Sequence, residues 1–313
     1  MAAWNVYRAR RAEREHPPAG RFLTVNGIRL HLMENGGGRP IVLLHGNGAT
    51  AEDFLLSGVF DLAARQYRVL AIDRPGFGYS ERPFGVWSPA RQAELLRHAL
   101  LDLGIEPAIV IGHSWGTLVA LALALDFPEA VGGLVLLSGY YCPTVRFEVP
   151  LFSASAIPIV GDLLRYTITP PLTKAMMPAL IERCFSPLPV PERFANSFPV
   201  GLAVRPSQIR AEAQDTATMV SAAAAMRCRY SELHMPIAIM AGTEDRIVSH
   251  RRHAIWLSAR ISQSTLRLVP GVGHMVHYAV PEQIVEAIGV IADRADAARG
   301  RAVSSSAVAI PAD

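Results

Sequence analysis

Cysteine is scarce in this chain: Cys142, Cys184 and Cys228 are the only 3 among 313 residues, too widely spaced to pair completely. That excludes a disulfide-stapled secreted scaffold and fits small apolar side chains in a reducing, cytoplasmic compartment. No two cysteines stand at zinc-ligand spacing and no His-Glu-x-x-His pattern occurs, so neither a metal nor any other cofactor is expected. Charge is thin as well, at 18% of residues, with 30 Lys plus Arg against 27 Asp plus Glu. Without a basic stripe, nucleic acid is not an expected partner. Nor is any apolar run long enough for a signal peptide or a spanning helix.

What the chain has is hydrophobic residues, 50% of the total, enough to bury a sizeable core. Residues 1–20 read as an extension, with Trp4 and Tyr7 followed by Arg8, Arg10, Arg11 and Arg14 ahead of Pro17-Pro18. A basic amphipathic helix of that kind can rest on an anionic membrane, although a frayed helical extension is the plainer expectation. Residues 297–313, with their serine run, read as a flexible tail.

Two alternating runs around Asn26-Gly27 predict an antiparallel β-hairpin, because Asn-Gly favours the tight primed turn. The runs 41–44, 69–72, 109–111, 134–137 and 237–240 are short and almost continuously apolar, as in strands buried on both faces of a parallel sheet. Helical spacing follows Ser88-Pro89 and Pro281. The expected fold is therefore α/β: a doubly wound, mostly parallel sheet spanning residues 21–140 and 236–296. Between its halves, residues 141–235 lose the alternation and hold eleven of the 23 prolines. They predict a helical cap inserted over the carboxyl ends of the strands, where α/β sheets bind ligands. Its apolar content, including Leu151, Phe152, Ile157, Ile159 and Leu163, is expected to pack on the core and to line a pocket.

The strongest local signal is Gly112-His113-Ser114-Trp115-Gly116, set between an apolar strand and the helical run that follows. A serine there is held on a sharp strand-to-helix turn with its hydroxyl exposed. Serine is a weak nucleophile, so it needs a base and a group to orient that base. Two later loops carry suitable side chains: Glu244 and Asp245 in one, His274 and His277 in the other.

With His45-Gly46-Asn47-Gly48 and the run Asp73-Arg74-Pro75-Gly76-Phe77-Gly78-Tyr79-Ser80, these motifs make residues 22–292 resemble the α/β-hydrolase superfamily, in its capped esterase and epoxide-hydrolase-like branch. The resemblance implies Ser114 as nucleophile, His274 as base and Asp245 as its orienting carboxylate. It also implies backbone N–H groups of Asn47 and Trp115 as the oxyanion hole. Glu244 and His277 are the competing acid and base. His45 and His113 are expected to be structural, as are Asp73, Arg74 and Ser80. The Asn47 side chain either reaches the pocket or holds the turn.

Relatives that dehalogenate or open epoxides attack through a carboxylate, and here that position is Ser114. The expected activity is therefore hydrolysis of a small apolar carboxylic ester through an acyl-enzyme. Carbon-carbon bond hydrolysis, amidase or iminopeptidase action and cofactor-free perhydrolysis are alternatives on the same triad. A ligand-binding protein that kept the fold without catalysis is the alternative from another class.

Overall fold

The computed structural model describes residues 1–105, 107–147 and 149–307, with residues 301–307 as backbone only. Eight strands form one sheet: β1 (Arg21–Val25), β2 (Ile28–Asn35), β3 (Pro40–Leu44), β4 (Arg68–Ile72), β5 (Ala108–His113), β6 (Val131–Leu137), β7 (Ile237–Gly242) and β8 (Ser264–Val269). Their order is β1-β2-β4-β3-β5-β6-β7-β8. The first two strands pair antiparallel about Asn26 and Gly27, both at positive φ, and β2 also runs antiparallel to β4. From β4 to β8 every pairing is parallel.

The apolar runs are continuous because the sheet is covered on both faces. Val42, Leu44, Leu70 and Val110 join one buried cluster, while their neighbours Ile41, Leu43, Val69 and Ile111 join another. That is the two-residue period of a strand, expressed in two cores. The principal helices are α1 (Ala2–Glu15), α2 (Pro89–Asp102), α3 (Gly116–Asp126), α4 (Val160–Tyr166), α5 (Thr169–Phe185), α6 (Pro206–Met226) and α7 (Pro281–Ala307). Ser88 caps α2 by accepting from the Arg91 N–H, the usual use of serine at a helix start. Helix α3 is buried from Gly116 through Leu125, which is why its sequence is apolar all round.

Between β6 and β7 the described residues form helices and no strand, including α4, α5 and α6. Two expectations at the chain ends change. The amino-terminal helix is not frayed: Asn5 is buried and donates to the carbonyls of Tyr166 and Thr167, and Glu13 pairs with Arg205 at 2.9 Å. Tertiary capture by the β6–β7 segment orders α1. At the other end α7 continues through Ala297 to Ala307, where a flexible tail was expected, because the alanines and arginines there favour helix and outweigh Gly300. The remaining tail, residues 308–313, lies outside the described residues. Among the described residues no helix is long and apolar enough to cross a membrane.

One glycine fixes how closely α3 approaches the sheet. A Cβ on Gly116 would lie 2.3 Å from the Leu44 carbonyl oxygen and 2.7 Å from that of His45, both backbone atoms. Gly116→Ala is therefore expected to cost about 1–3 kcal/mol or more through overpacking. Gly37, with nothing within 4 Å and no positive φ, is the control. Thermal unfolding of the two alanine variants checks this, and an unchanged midpoint for Gly116→Ala would contradict the close contact.

Candidate active site

Strand β5 delivers Ser114 at its carboxyl end with φ +50, a left-handed backbone that is uncommon outside glycine. The chain turns immediately into α3. The strained residue is thus the one whose hydroxyl leaves the sheet rim.

The acid and the base come from the loops after β7 and β8. Asp245 accepts from the backbone N–H groups of Ile247 and Val248 through Oδ1, each at 2.8 Å. Its other oxygen, Oδ2, lies 2.8 Å from His274 Nδ1. His274 Nε2 lies 2.9 Å from Ser114 Oγ. An ionised Asp245 only accepts, so Nδ1 carries the imidazole proton and the Nε2 lone pair faces the serine. Glu244 stands apart, exposed and accepting from Thr243 at 3.4 Å. His277 also points elsewhere, with Nε2 on Asp53 at 2.8 Å. Gly273 lets the His274 loop pass under the β6–β7 segment: a Cβ there would meet the Ser186 carbonyl oxygen at 2.2 Å.

The histidines of the motifs have structural partners. His45 Nδ1 donates to the Gly46 carbonyl at 2.8 Å, and its Nε2 accepts the Arg74 N–H at 2.9 Å. Burial lowers His45 to about 3, which matches a neutral ring that must accept at Nε2. Burial also lowers His113, whose Nε2 reaches the His274 carbonyl at 3.2 Å. Asp73 accepts from the N–H groups of Ala51 and Tyr79 and pairs with His31, while Ser80 Oγ accepts the His31 N–H. These contacts hold the loop after β4 against β2.

Above Ser114, the backbone N–H groups of Trp115 and Asn47 have no acceptor among the described residues. The Asn47 side chain turns the other way, donating to the Glu212 carbonyl at 3.2 Å and to Thr216 at 3.0 Å on α6. The loop and the helix above it are therefore joined at this residue.

Asp215 is the residue that local sequence reasoning missed. Fully buried on α6, it pairs with Arg74 at 2.5 Å and with Arg82 at 2.9 Å. Its carbonyl accepts the Trp115 indole N–H at 3.0 Å. A neighbour, Glu212, places its carboxyl beside Gly48, 3.5 Å from where a Cβ would stand. No donor reaches that carboxyl among the described residues. Burial, followed by the nearby Asp215 charge, raises Glu212 to about 7.

Asp53, His113 and His277 are the one trio among the described residues close enough to be considered for a metal. Asp53 is already bound by His277 and by the Tyr278 hydroxyl at 2.8 Å each, and all three side chains of the trio are buried. They fit a packed polar network better than an accessible cofactor site.

The family described as alpha/beta hydrolase matches residues 41–287. The chain belongs to that family and is a hydrolase-fold enzyme. It is 39% identical over 127 residues to a 2-hydroxymuconate semialdehyde hydrolase of Pseudomonas putida, covering 40% of this chain and 45% of that one. It is 25% identical over 288 residues to haloalkane dehalogenase 2 of Mycobacterium bovis, covering 87% and 94%. A solved thermophilic esterase from Thermogutta terrifontis superposes with a TM-score of 0.70 at 21% identity, covering 88% of this chain and 98% of that one.

Removing the carboxylate of Asp215 would leave two arginines without their shared buried partner. Asp215→Ala is expected to lower stability by about 3–5 kcal/mol, the usual cost of breaking a buried pair on one side. Calorimetry checks this, and a loss below about 1 kcal/mol, no more than a typical surface pair contributes, would contradict the pairing.

Proposed function

We propose that the protein hydrolyses an apolar carboxylic ester through an acyl-enzyme formed on Ser114. The observation that carries this reading is the continuous line from Ser114 Oγ through His274 to Asp245, with 2.9 Å and 2.8 Å steps.

In the first step Ser114 Oγ bonds to the ester carbonyl carbon and its proton passes to His274 Nε2. The imidazolium is stabilised by Asp245, which stays ionised. The carbonyl oxygen gains the negative charge and is met by the N–H groups of Trp115 and Asn47. Collapse expels the alcohol, which takes the proton from His274. Water then attacks the acyl-enzyme with His274 again as base, releasing the acid and restoring Ser114. Serine in place of a carboxylate favours acyl carbons over alkyl halides and epoxides. The β6–β7 segment acts as a cap over the site, and its apolar side chains other than the exposed ones wall the substrate.

Carbon-carbon bond hydrolysis is the second reading, supported by the match to the 2-hydroxymuconate semialdehyde hydrolase. A screen of esters of graded acyl length beside a diketo acid separates the two. Turnover of the diketo acid with none on esters would reverse the order.

Ser114→Ala is expected to lower ester turnover by several powers of ten with the fold intact. Asp245→Asn is expected to lose roughly ten-thousandfold, as the amide holds the wrong tautomer, and Glu244→Gln is expected to be mild. Steady-state kinetics on the purified variants decides, and the reverse order for the two acids would move the role to Glu244.

The carboxyl of Glu212, raised to about 7 by burial, is neutral below that pH and anionic above it. Its charge beside Gly48 opposes the developing oxyanion, so the ratio of wild-type to Glu212→Gln kcat/KM for a neutral ester should fall as pH rises through about 7. A ratio that stays flat across that range would contradict the assignment.

A further inference from the structure

The apolar side chains counted toward the cap's interior do not all go inside. Leu151, Ile157, Ile159, Leu163, Ile168 and Leu172 are each more than half exposed. Helix α5 is buried only at Pro170 and Phe185, although its sequence is apolar on most sides. Between residues 149 and 181 the charged residues are Asp162, Arg165 and Lys174 alone. A helix of this composition is ordinarily covered, and a contiguous exposed apolar patch marks an interaction surface. Ile159 adds strain, with φ +66 and 82% exposure. A left-handed backbone is unfavourable for a β-branched residue, and the side chain gains little packing in return.

What borders the patch indicates its occupant. Helix α1 lies against the α4–α5 connection through Asn5. A cavity of about 340 Å³ opens between α1 and α5, lined among others by Trp4, Tyr7, Arg8, Arg11 and Lys174. The two aromatic rings stack at 5.5 Å, and both residues are exposed. Arg11 and Arg165 are balanced by Glu15 and Asp162. Arg8, Arg10 and Lys174 have no carboxylate partner among the described residues.

We infer that this face, α4 and α5 with α1 beside them, docks on a lipid bilayer containing anionic headgroups. The layering matches an interface: aliphatic side chains enter the acyl boundary, Trp4 and Tyr7 sit at headgroup level, and the cations meet phosphate. A second copy related by a two-fold axis would bring the same patch of both copies together, α1 cations included. Acidic lipid neutralises them instead.

Flotation of the full chain with phosphatidylcholine vesicles, with and without phosphatidylglycerol, tests the inference. Binding is expected to require phosphatidylglycerol and to weaken with salt. Arg8→Gln and Lys174→Gln should each weaken it about fivefold, and the Leu163→Glu/Leu172→Glu double variant should abolish it. All four side chains are at least partly exposed, so thermal midpoints should hold and separate lost docking from lost folding. Failure to bind phosphatidylglycerol vesicles, or unchanged binding by the double variant, would overturn the inference. So would a lipid-free dimer in sedimentation velocity that Leu172→Glu dissolves, which would assign the face to a second copy. Ester hydrolysis in lipid-free buffer should be unaffected in these variants, so a failure here leaves the reading of Ser114 untouched.

Discussion

The guanidinium of Arg74 is the point on which the site depends. Buried to 1% side-chain exposure, it donates to the carbonyls of His45 and Gly46, to Gln92 and to Asp215. Its Cζ lies 4.4 Å from the Trp115 ring centre and 4.5 Å from that of Phe77. One cation therefore touches the loop carrying Asn47, the residue after Ser114, and the helix lying above both. Burial lowers Arg74 while Asp215 raises it back in part. Arginine suits this position because a fork of several donors can satisfy carbonyls and a carboxylate together, which a lysine cannot do.

That arrangement gives the two unpaired N–H groups a physical basis. An oxyanion site is effective when its donors are fixed before charge develops. Asn47 is held from the side by α6, and Trp115 through its indole on Asp215. Their backbone N–H groups have no acceptor among the described residues. The same contacts make the β6–β7 segment part of the site's framework, although it contributes none of Ser114, Asp245 or His274.

The sheet was legible because its strands announce themselves. Runs such as 41–44 and 237–240 are apolar on both faces, and Asn26-Gly27 fixes the hairpin turn. The placement of Ser114, Asp245 and His274 at the ends of strands was legible because each sits in a local motif. Asp215 was not, since it pairs with Arg74 across 141 positions and its own surroundings resemble any polar helix. The docking of α1 was equally hidden: Asn5 reaches backbone carbonyls, which have no sequence signature, and Glu13 pairs with Arg205 across 192 positions. Composition also could not divide the apolar residues of the β6–β7 segment into packed and exposed. Phe194 is buried and stacks on Phe198 at 4.8 Å, while Ile159 is bare.

The central claim is that Ser114 itself carries the acyl group. Incubation with a fluorophosphonate, or with an ester whose acyl-enzyme turns over slowly, followed by intact and peptide mass spectrometry, tests it directly. The expected result is a single adduct on the peptide containing Ser114, absent after heat denaturation and absent in Ser114→Ala. A covalent adduct on any carboxylate or other side chain, or ester turnover without one on Ser114, would contradict it.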